Sequence, residues 1–461
     1  MRRIFSIVLL FILLLAGAGR DVYATGVDGQ EAGQETDQEE ELTEKEKREQ
    51  MLKEIYDMPV QSNEIKGWPK GPGTYGDSAI VMDAGTGAIL YAKNIDEHFY
   101  PASITKVLTA LVALENGKFE DPVVVSEDCV SFLEPGDSSI GLKKGNEITL
   151  EQALYATLLA SANEAAYAVG ENVGKNAGHD YAWFLEQMNE RCRELGGTNS
   201  NFANTNGLPD PDHYTCARDM ALIGSEMFKY PEFFKIVQTM QYEIPASDTC
   251  QQHIFQQKHK MLNESSGEYY KYAVGGKTGY TPDALNTLIT MADKDGMQLV
   301  CVVLHTQSGH HYGDTRKLFD YGYKNFTKTP VEGNETSQDV GEILEEEGGG
   351  YVLLPKGVEF ADLEMELVPD DANDGKATLN YTYEGTLVGK ARAKLSDQYI
   401  NEHKAKIEKL DTGADDRDGQ DRGMVEKIVL AGLCVVWVVL VILFVRTILK
   451  RKRRRKQHRR H

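Results

Sequence analysis

The 461-residue sequence has few cysteines, and none is placed for pairing. Cys434 falls within an apolar run; the other five, Cys129, Cys192, Cys216, Cys250 and Cys301, are odd in number and form no close pair. That sets aside a fold built on disulfides and a cysteine-ligated zinc site, and predicts buried free thiols. The chain also lacks a basic body. Its formal charge is −21, yet residues 446–460 carry ten Lys and Arg and no acid, which leaves residues 1–445 at −31. So acidic a surface offers nothing to nucleic-acid phosphates, and nucleic acid is excluded as a partner. No internal repeat is present, which removes the stacked-repeat architectures.

What is there is ordinary globular composition, 41% hydrophobic and 26% charged, in a chain longer than one typical domain. Two apolar runs bracket it. Residues 4–16 follow Arg2 and Arg3 and lead to Val22-Tyr23-Ala24, the pattern of a secretory signal peptide over residues 1–24. Residues 428–445 hold no charge across 18 positions, enough to span a bilayer as a helix. Arg446 and the basic residues from Lys450 to Lys456 follow directly. Positive residues stay on the cytoplasmic side, so the expectation is a single-pass cell-membrane protein with residues 446–461 inside and everything before residue 428 outside. A cell-wall sorting signal would need Leu-Pro-x-Thr-Gly upstream. The nearest fragments, Leu354-Pro355-Lys356-Gly357 and Leu410-Asp411-Thr412-Gly413, are too distant or lack the proline.

Residues 25–54 hold eleven acids and four bases with almost no large apolar side chains, and a disordered or weakly helical acidic linker is expected over 25–66. Folding is expected from Gly67, with a hairpin over 78–92 turning at Thr86-Gly87. Helical periodicity marks 103–116, 151–171, 181–195 and 215–229, and strands are expected at 269–274, 286–291 and 298–304. Strands, a block of helices and strands again predict an α+β domain over 67–328, one antiparallel sheet packed with a helical cluster. Short alternating stretches at 351–354, 365–368, 377–383 and 386–393 predict a small all-β domain over 329–396, followed by a polar juxtamembrane linker, 397–427.

Three short motifs carry chemistry. Pro101-Ala102-Ser103-Ile104-Thr105-Lys106 opens the first helix, and Ser103 is the only serine with a lysine three positions on. That spacing puts hydroxyl and amine on one helix face. A serine hydroxyl is a weak nucleophile until a base takes its proton, and a lysine serves once burial and a second cation make it neutral. Ser161-Ala162-Asn163 follows 58 residues after Ser103, and Lys277-Thr278-Gly279 another 116 residues on, directly after the strand expected at 269–274. Each motif alone is commonplace. In this order they form the signature shared by penicillin-binding proteins and class A β-lactamases.

Over roughly residues 70–400 the chain resembles the serine-type D-alanyl-D-alanine carboxypeptidases, the low-molecular-mass penicillin-binding proteins. The likeness extends to Met188-Asn189 with Leu195-Gly196, Phe202-Ala203-Asn204 with Gly207-Leu208, His213-Tyr214-Thr215 with Ala217 and Asp219-Met220, and Tyr321-Gly322-Tyr323. The resemblance implies a β-lactamase/transpeptidase-like fold and peptidoglycan pentapeptide stems as substrate, with β-lactams as inhibitors and no metal or other cofactor. It implies Ser103 as the acylated nucleophile, Lys106 as its general base, and Ser161 as the proton relay to the departing D-alanine. Asn163 would hold the substrate amide, Lys277 and Thr278 the terminal carboxylate, and Gly279 would let the substrate chain approach. Backbone N–H groups of Ser103 and Tyr280 would form the oxyanion hole.

Two positions depart from the family pattern: Gly276 stands where an aliphatic residue usually precedes Lys-Thr-Gly, and Ala284-Leu285 where an Ala-Gly pair is usual. Two other readings compete. A class A β-lactamase needs Glu-x-x-Leu-Asn between Ser161 and Lys277, and none is there. A catalytically silent penicillin sensor or scaffold fits poorly with an intact trio. Hydrolysis of cross-links by an endopeptidase would use the same chemistry. His213, His253 and His305 invite a hydrolase-triad reading, which Lys106 makes unnecessary.

Overall fold

The computed structural model describes residues 43–344, 350–370 and 375–403. Its organising element is a five-stranded antiparallel sheet of order β2-β1-β9-β8-β7. The hairpin of β1 (Gly76–Asp83) and β2 (Ile89–Lys93) forms as expected, with Thr86 tied to the Asp83 carboxylate through both its N–H and its hydroxyl. Two small two-stranded sheets follow, β3 (Pro122–Val124) with β4 (Glu147–Thr149) and β5 (Gln241–Ile244) with β6 (His253–Gln256). The sheet is then completed by β7 (Ala273–Thr281), β8 (Leu285–Lys294) and β9 (Met297–Thr306).

Alternation along these strands explains their near-continuous apolar runs. On β1, Ile80 and Met82 enter the core beneath the helices, whereas Ala79 and Val81 enter a second core on the opposite face. On β9, Val300 and Val302 take the first side, Cys301 and Val303 the second. The first face is covered by helices Lys106–Asn116 and Ala217–Glu226, and helix Asn163–Asn176 packs against the first of these in the same core. The second is covered by helix His311–Asn325, which sequence periodicity did not mark. All five cysteines among the described residues are buried free thiols.

Beyond that helix lie β10 (Phe326–Pro330), β11 (Val340–Leu344), β12 (Tyr351–Pro355), β13 (Glu364–Pro369), β14 (Lys376–Tyr383) and β15 (Thr386–Leu395). They form an antiparallel sheet of order β10-β12-β15-β14-β13, with β11 against β15. The four strands read from alternation are present. Its first strand, β10, begins at Phe326, three residues before the expected boundary, because buried Phe326 packs against Trp68.

Three expectations are corrected. The weakly helical alternative holds for Glu44–Tyr56, but the rest of the expected linker up to residue 66 is packed and not disordered: Val60 and Ser62 are buried, and the Asn63 side chain accepts from Gly71 N at 2.6 Å. The cause lies in β2, where Lys93 is fully buried and needs acceptors, which the carbonyls of Ile55 (2.7 Å), Thr74 and Gly76 (each 2.9 Å) supply. Burial holds that amine down to about 8. The helix expected at 151–171 is interrupted at Ser161, and the strand expected at 269–274 runs instead over Ala273–Thr281. Lys277-Thr278-Gly279 therefore lies within a strand and not after one. The signal peptide expected over residues 1–24 and the apolar run at 428–445 lie outside the described residues; among the described residues no helix is long and apolar enough to cross a membrane.

Candidate active site

The nucleophile motif is a single 3₁₀ turn, Ala102–Thr105, feeding helix Lys106–Asn116. That helix buries Val107, Leu108, Leu111 and Val112, so the polar pair at its start is carried into the core with it. Ala102 adopts a left-handed backbone (φ 49°), a conformation costing a non-glycine residue of order 1–2 kcal/mol. The turn is held from three sides. Thr287 Oγ1 on β8 donates to Pro101 O at 2.7 Å, Thr105 Oγ1 donates to Ala102 O at 2.9 Å, and Gly207 presses on the Ala102–Ser103 peptide.

Lys106 is wholly buried, with its Nζ 2.9 Å from Ser103 Oγ, 2.8 Å from Asn163 Oδ1 and 2.5 Å from the Asn206 carbonyl. The last two partners can only accept. A neutral amine has two N–H groups and one lone pair, so donation to Asn163 and Asn206 leaves the lone pair for the Ser103 hydroxyl. Burial drives the Lys106 amine well below its usual range, and the nearby charges of Lys277 and Lys258 push the same way. Its surroundings favour the unprotonated amine.

Ser161 ends a π-helical turn, Ala156–Ala160, in a left-handed conformation (φ 63°, ψ 28°), and helix Asn163–Asn176 restarts two residues later. An alanine-rich run hides this break from periodicity, and a strained serine at a cavity wall is a usual mark of function. Ser138 O accepts from Asn163 N at 2.8 Å, and the Glu164 carboxylate takes Ser139 Oγ, Ile140 N and Gly141 N, which fixes the 138–141 loop over the turn.

The third side is β7. Gly279 lies so close to the nucleophile that a Cβ there would meet Thr287 Oγ1 and stand 2.9 Å from Ser103 N. Ser103, Ser161, Asn163, Thr278, Gly279 and Tyr280 line one cavity of about 880 Å³. Lys277 sits behind this wall, 1% exposed, donating to Thr278 O at 2.8 Å; burial, then Lys258, lowers it to about 7. The structure thus brings the whole expected set together, with Lys277 beneath the surface. Sequence reasoning missed Asn206, which acts through its main chain, and Lys258, which lines the cavity and donates to Ser138 Oγ at 3.3 Å. Among the described residues no group of three or more His, Cys, Asp or Glu is placed to hold a metal ion.

A family model described as D-alanyl-D-alanine carboxypeptidase matches residues 69–308, which contain all three motifs. The chain belongs to that family. It is 28% identical to the D-alanyl-D-alanine carboxypeptidase DacF of Bacillus subtilis over 311 residues, covering 64% of this chain and 76% of DacF. The D-alanyl-D-alanine carboxypeptidase DacA of Haemophilus influenzae is 31% identical over 302 residues, 60% of this chain and 72% of the relative. Among solved structures, the Streptomyces K15 DD-transpeptidase superposes with a TM-score of 0.51 at 27% identity, covering 56% of this chain and all of that one.

Both departures from the carboxypeptidase pattern have structural answers. Gly276 (φ 147°) leaves room that the fully buried His259 ring fills; a Cβ at 276 would lie 2.7 Å from His259 Nε2. Leu285 adopts a left-handed conformation (φ 51°), the backbone a glycine takes without cost. The histidines divide from catalysis. His213 Nδ1 accepts from Ala203 N at 3.0 Å, so the ring proton is on Nε2, facing Thr105 Oγ1 at 2.8 Å, and the residue braces the turn. His305 pairs with Asp77.

Burial holds His213 and His311 down to about 4 and His259 to about 3, from the ordinary 6.5. Each stays neutral in the fold where the unfolded chain would bind a proton, so stability is full above pH 6.5 and falls as pH drops towards 4. The slope is about 1.4 kcal/mol per pH unit for each histidine. Urea midpoints at pH 7 and pH 5 check this: the midpoint should be clearly lower at pH 5, and equal midpoints would contradict it.

Proposed function

We propose that the protein is a serine-type D-alanyl-D-alanine carboxypeptidase that removes the terminal D-alanine of peptidoglycan stem peptides and is acylated by penicillin. The observation that carries this reading is the Lys106 amine, stripped of water, with two acceptors on its N–H groups and Ser103 Oγ on its remaining side. Lys106 takes the Ser103 proton as Oγ attacks the carbonyl between the two D-alanines. The oxyanion is received by the N–H groups of Ser103 and Tyr280, and Gly279 allows the approach. Ser161 hands a proton to the departing nitrogen, while Asn163 orients the substrate amide. Thr278 meets the terminal carboxylate at the wall, and the Lys277 charge supports it from behind. Water then releases the shortened peptide.

The segments outside the described residues fit the same role. An apolar run at 428–445 followed by ten basic residues supports a membrane anchor with the catalytic domain, residues 67–328, and a small all-β domain, residues 329–396, outside the cell. Incubating the purified protein with a pentapeptide stem should release free D-alanine, and the Ser103→Ala variant should release none. Undiminished release by that variant would overturn the reading.

A further inference from the structure

Residues 55–68 precede the stretch matched to the carboxypeptidase family and take no part in the mechanism above. They lie along the outer side of β2, the edge strand of the five-stranded sheet. Ser62 Oγ accepts from Ala92 N at 3.3 Å, Gln61 Oε1 accepts from Ile95 N at 3.4 Å, and Trp68 Nε1 donates to Leu90 O at 2.9 Å. With the Ile55 carbonyl on buried Lys93, these bonds fasten the segment as a strap. Covering an exposed strand edge explains most of it. It does not explain Tyr56, which turns towards a different part of the molecule.

Tyr56 begins a row of rings that ends beside the catalytic cavity. Its ring centre is 5.0 Å from that of Tyr75, and the Tyr75 ring is 4.2 Å from that of His310. A Cβ at Gly73 would lie 2.6 Å from the Tyr56 ring, so the chain closes tightly over it. His310 immediately precedes helix His311–Asn325, and His310, Asp314 and Lys317 fall at the spacing of one helix face. All three hold the same neighbours. The buried Asp314 carboxylate accepts from Tyr75 N at 2.7 Å and from Gly76 N at 3.0 Å. Lys317 Nζ donates to Gly73 O at 3.2 Å and stands 5.0 Å from the Tyr56 ring centre and 5.9 Å from that of Tyr75.

The start of that helix is a wall of the cavity, lined by Ser308, Gly309, His311 and Tyr312. Ser308 and Gly309 are exposed, and a Cβ on Gly309 would touch nothing, so the wall draws little support from its solvent side. Tyr312 faces the carboxylate end: its ring meets His259 edge-on at 6.0 Å, and His259 packs against Gly276, next to Lys277. We propose that Tyr56 and Tyr75 are positioning residues for the carboxypeptidase reaction, which through His310 set the wall at 308–312 where the carboxylate end of the stem is received. The proposal rests on the assignment of that end to Thr278 and Lys277. Tyr56, Tyr75 and His310 do not line the cavity, so they act through the wall and not on the substrate. Ser103 and Lys106 are held independently, by Thr287, Asn163 and Asn206. The effect therefore falls on binding and not on the chemical step.

The test measures D-alanine release from a pentapeptide stem by full-length variants, with thermal melts alongside. Tyr56→Ala and Tyr75→Ala should raise KM at least ~5-fold while kcat stays within about twofold, the mark of lost binding that leaves the chemical step intact. Tyr56→Phe and Tyr75→Phe keep the rings and should match the wild type. His310→Ala should reproduce the rise in KM and His310→Phe should not, which keeps the test decisive if an alanine in place of either tyrosine fails to fold. Unchanged KM in the folded alanine variants, a fall confined to kcat, or phenylalanine variants no better than alanine would overturn the proposal and leave the carboxypeptidase reading standing. A wild type that releases no D-alanine would instead remove the reading beneath it.

Discussion

Lys106→Arg is expected to lose acylation by on the order of 10²–10⁴-fold or more, the range general-base catalysis contributes, with the fold retained. Arginine keeps the positive charge and can donate to Asn163 Oδ1 and Asn206 O, but it cannot give up its proton at any pH the protein survives. Stopped-flow acylation by a chromogenic β-lactam reads the loss, and a comparable rate would end the general-base assignment. The wild-type rate should rise with pH along one ionisation far below the ordinary 10.5, because burial is the largest influence on Lys106. Lys277→Met removes the second influence, a neighbouring positive charge, so Lys106 should hold its proton to higher pH and the rising limb should move upward. Since burial leads, that displacement should be the smaller part of the whole. For substrates carrying a carboxylate, kcat/KM should fall again above about 7, where the free enzyme loses the Lys277 charge.

Gly279→Ala should cost on the order of 10²-fold in acylation, the penalty for a displacement of about 1 Å at a reacting centre. The added methyl would collide with Thr287 Oγ1 and crowd Ser103 N at 2.9 Å. Thr287 cannot simply turn away, since its hydroxyl holds Pro101 O at 2.7 Å and with it the nucleophile turn. The strand must therefore retreat from Ser103 or the turn must shift, and both open the oxyanion hole. Thermal unfolding of the variant separates this from simple misfolding; a normal melt with normal acylation would contradict the close-approach argument.

How far these features were legible in the chain follows from what leaves a trace in side-chain pattern. The three motifs were legible because nucleophile, relay and carboxylate side each carry a side-chain identity in a fixed order. The β1–β2 hairpin and the four later strands, β12 to β15, showed because alternation and turn residues act locally. The break at Ser161 was hidden, since alanine-rich sequence on both sides supports a helix and only the tertiary setting pays for φ 63°. The position of β7 was misread because Gly275 and Gly276 look like a strand's end, yet here they lie inside it, where Phe234 and His259 pack against them. Asn206 acts through a carbonyl that any residue possesses, and Lys258 gains meaning only by standing beside the two buried amines of Lys106 and Lys277. The ordered segment before Gly67 followed from a buried lysine in β2, and burial is not visible in a list of charges.

The account stands most directly on covalent chemistry at one side chain. Full-length protein treated with penicillin, digested and analysed by mass spectrometry should carry one penicilloyl adduct on the peptide containing Ser103, and Ser103→Ala should carry none. An adduct on another residue, or an unmodified wild type under conditions where the protein is folded, would contradict it.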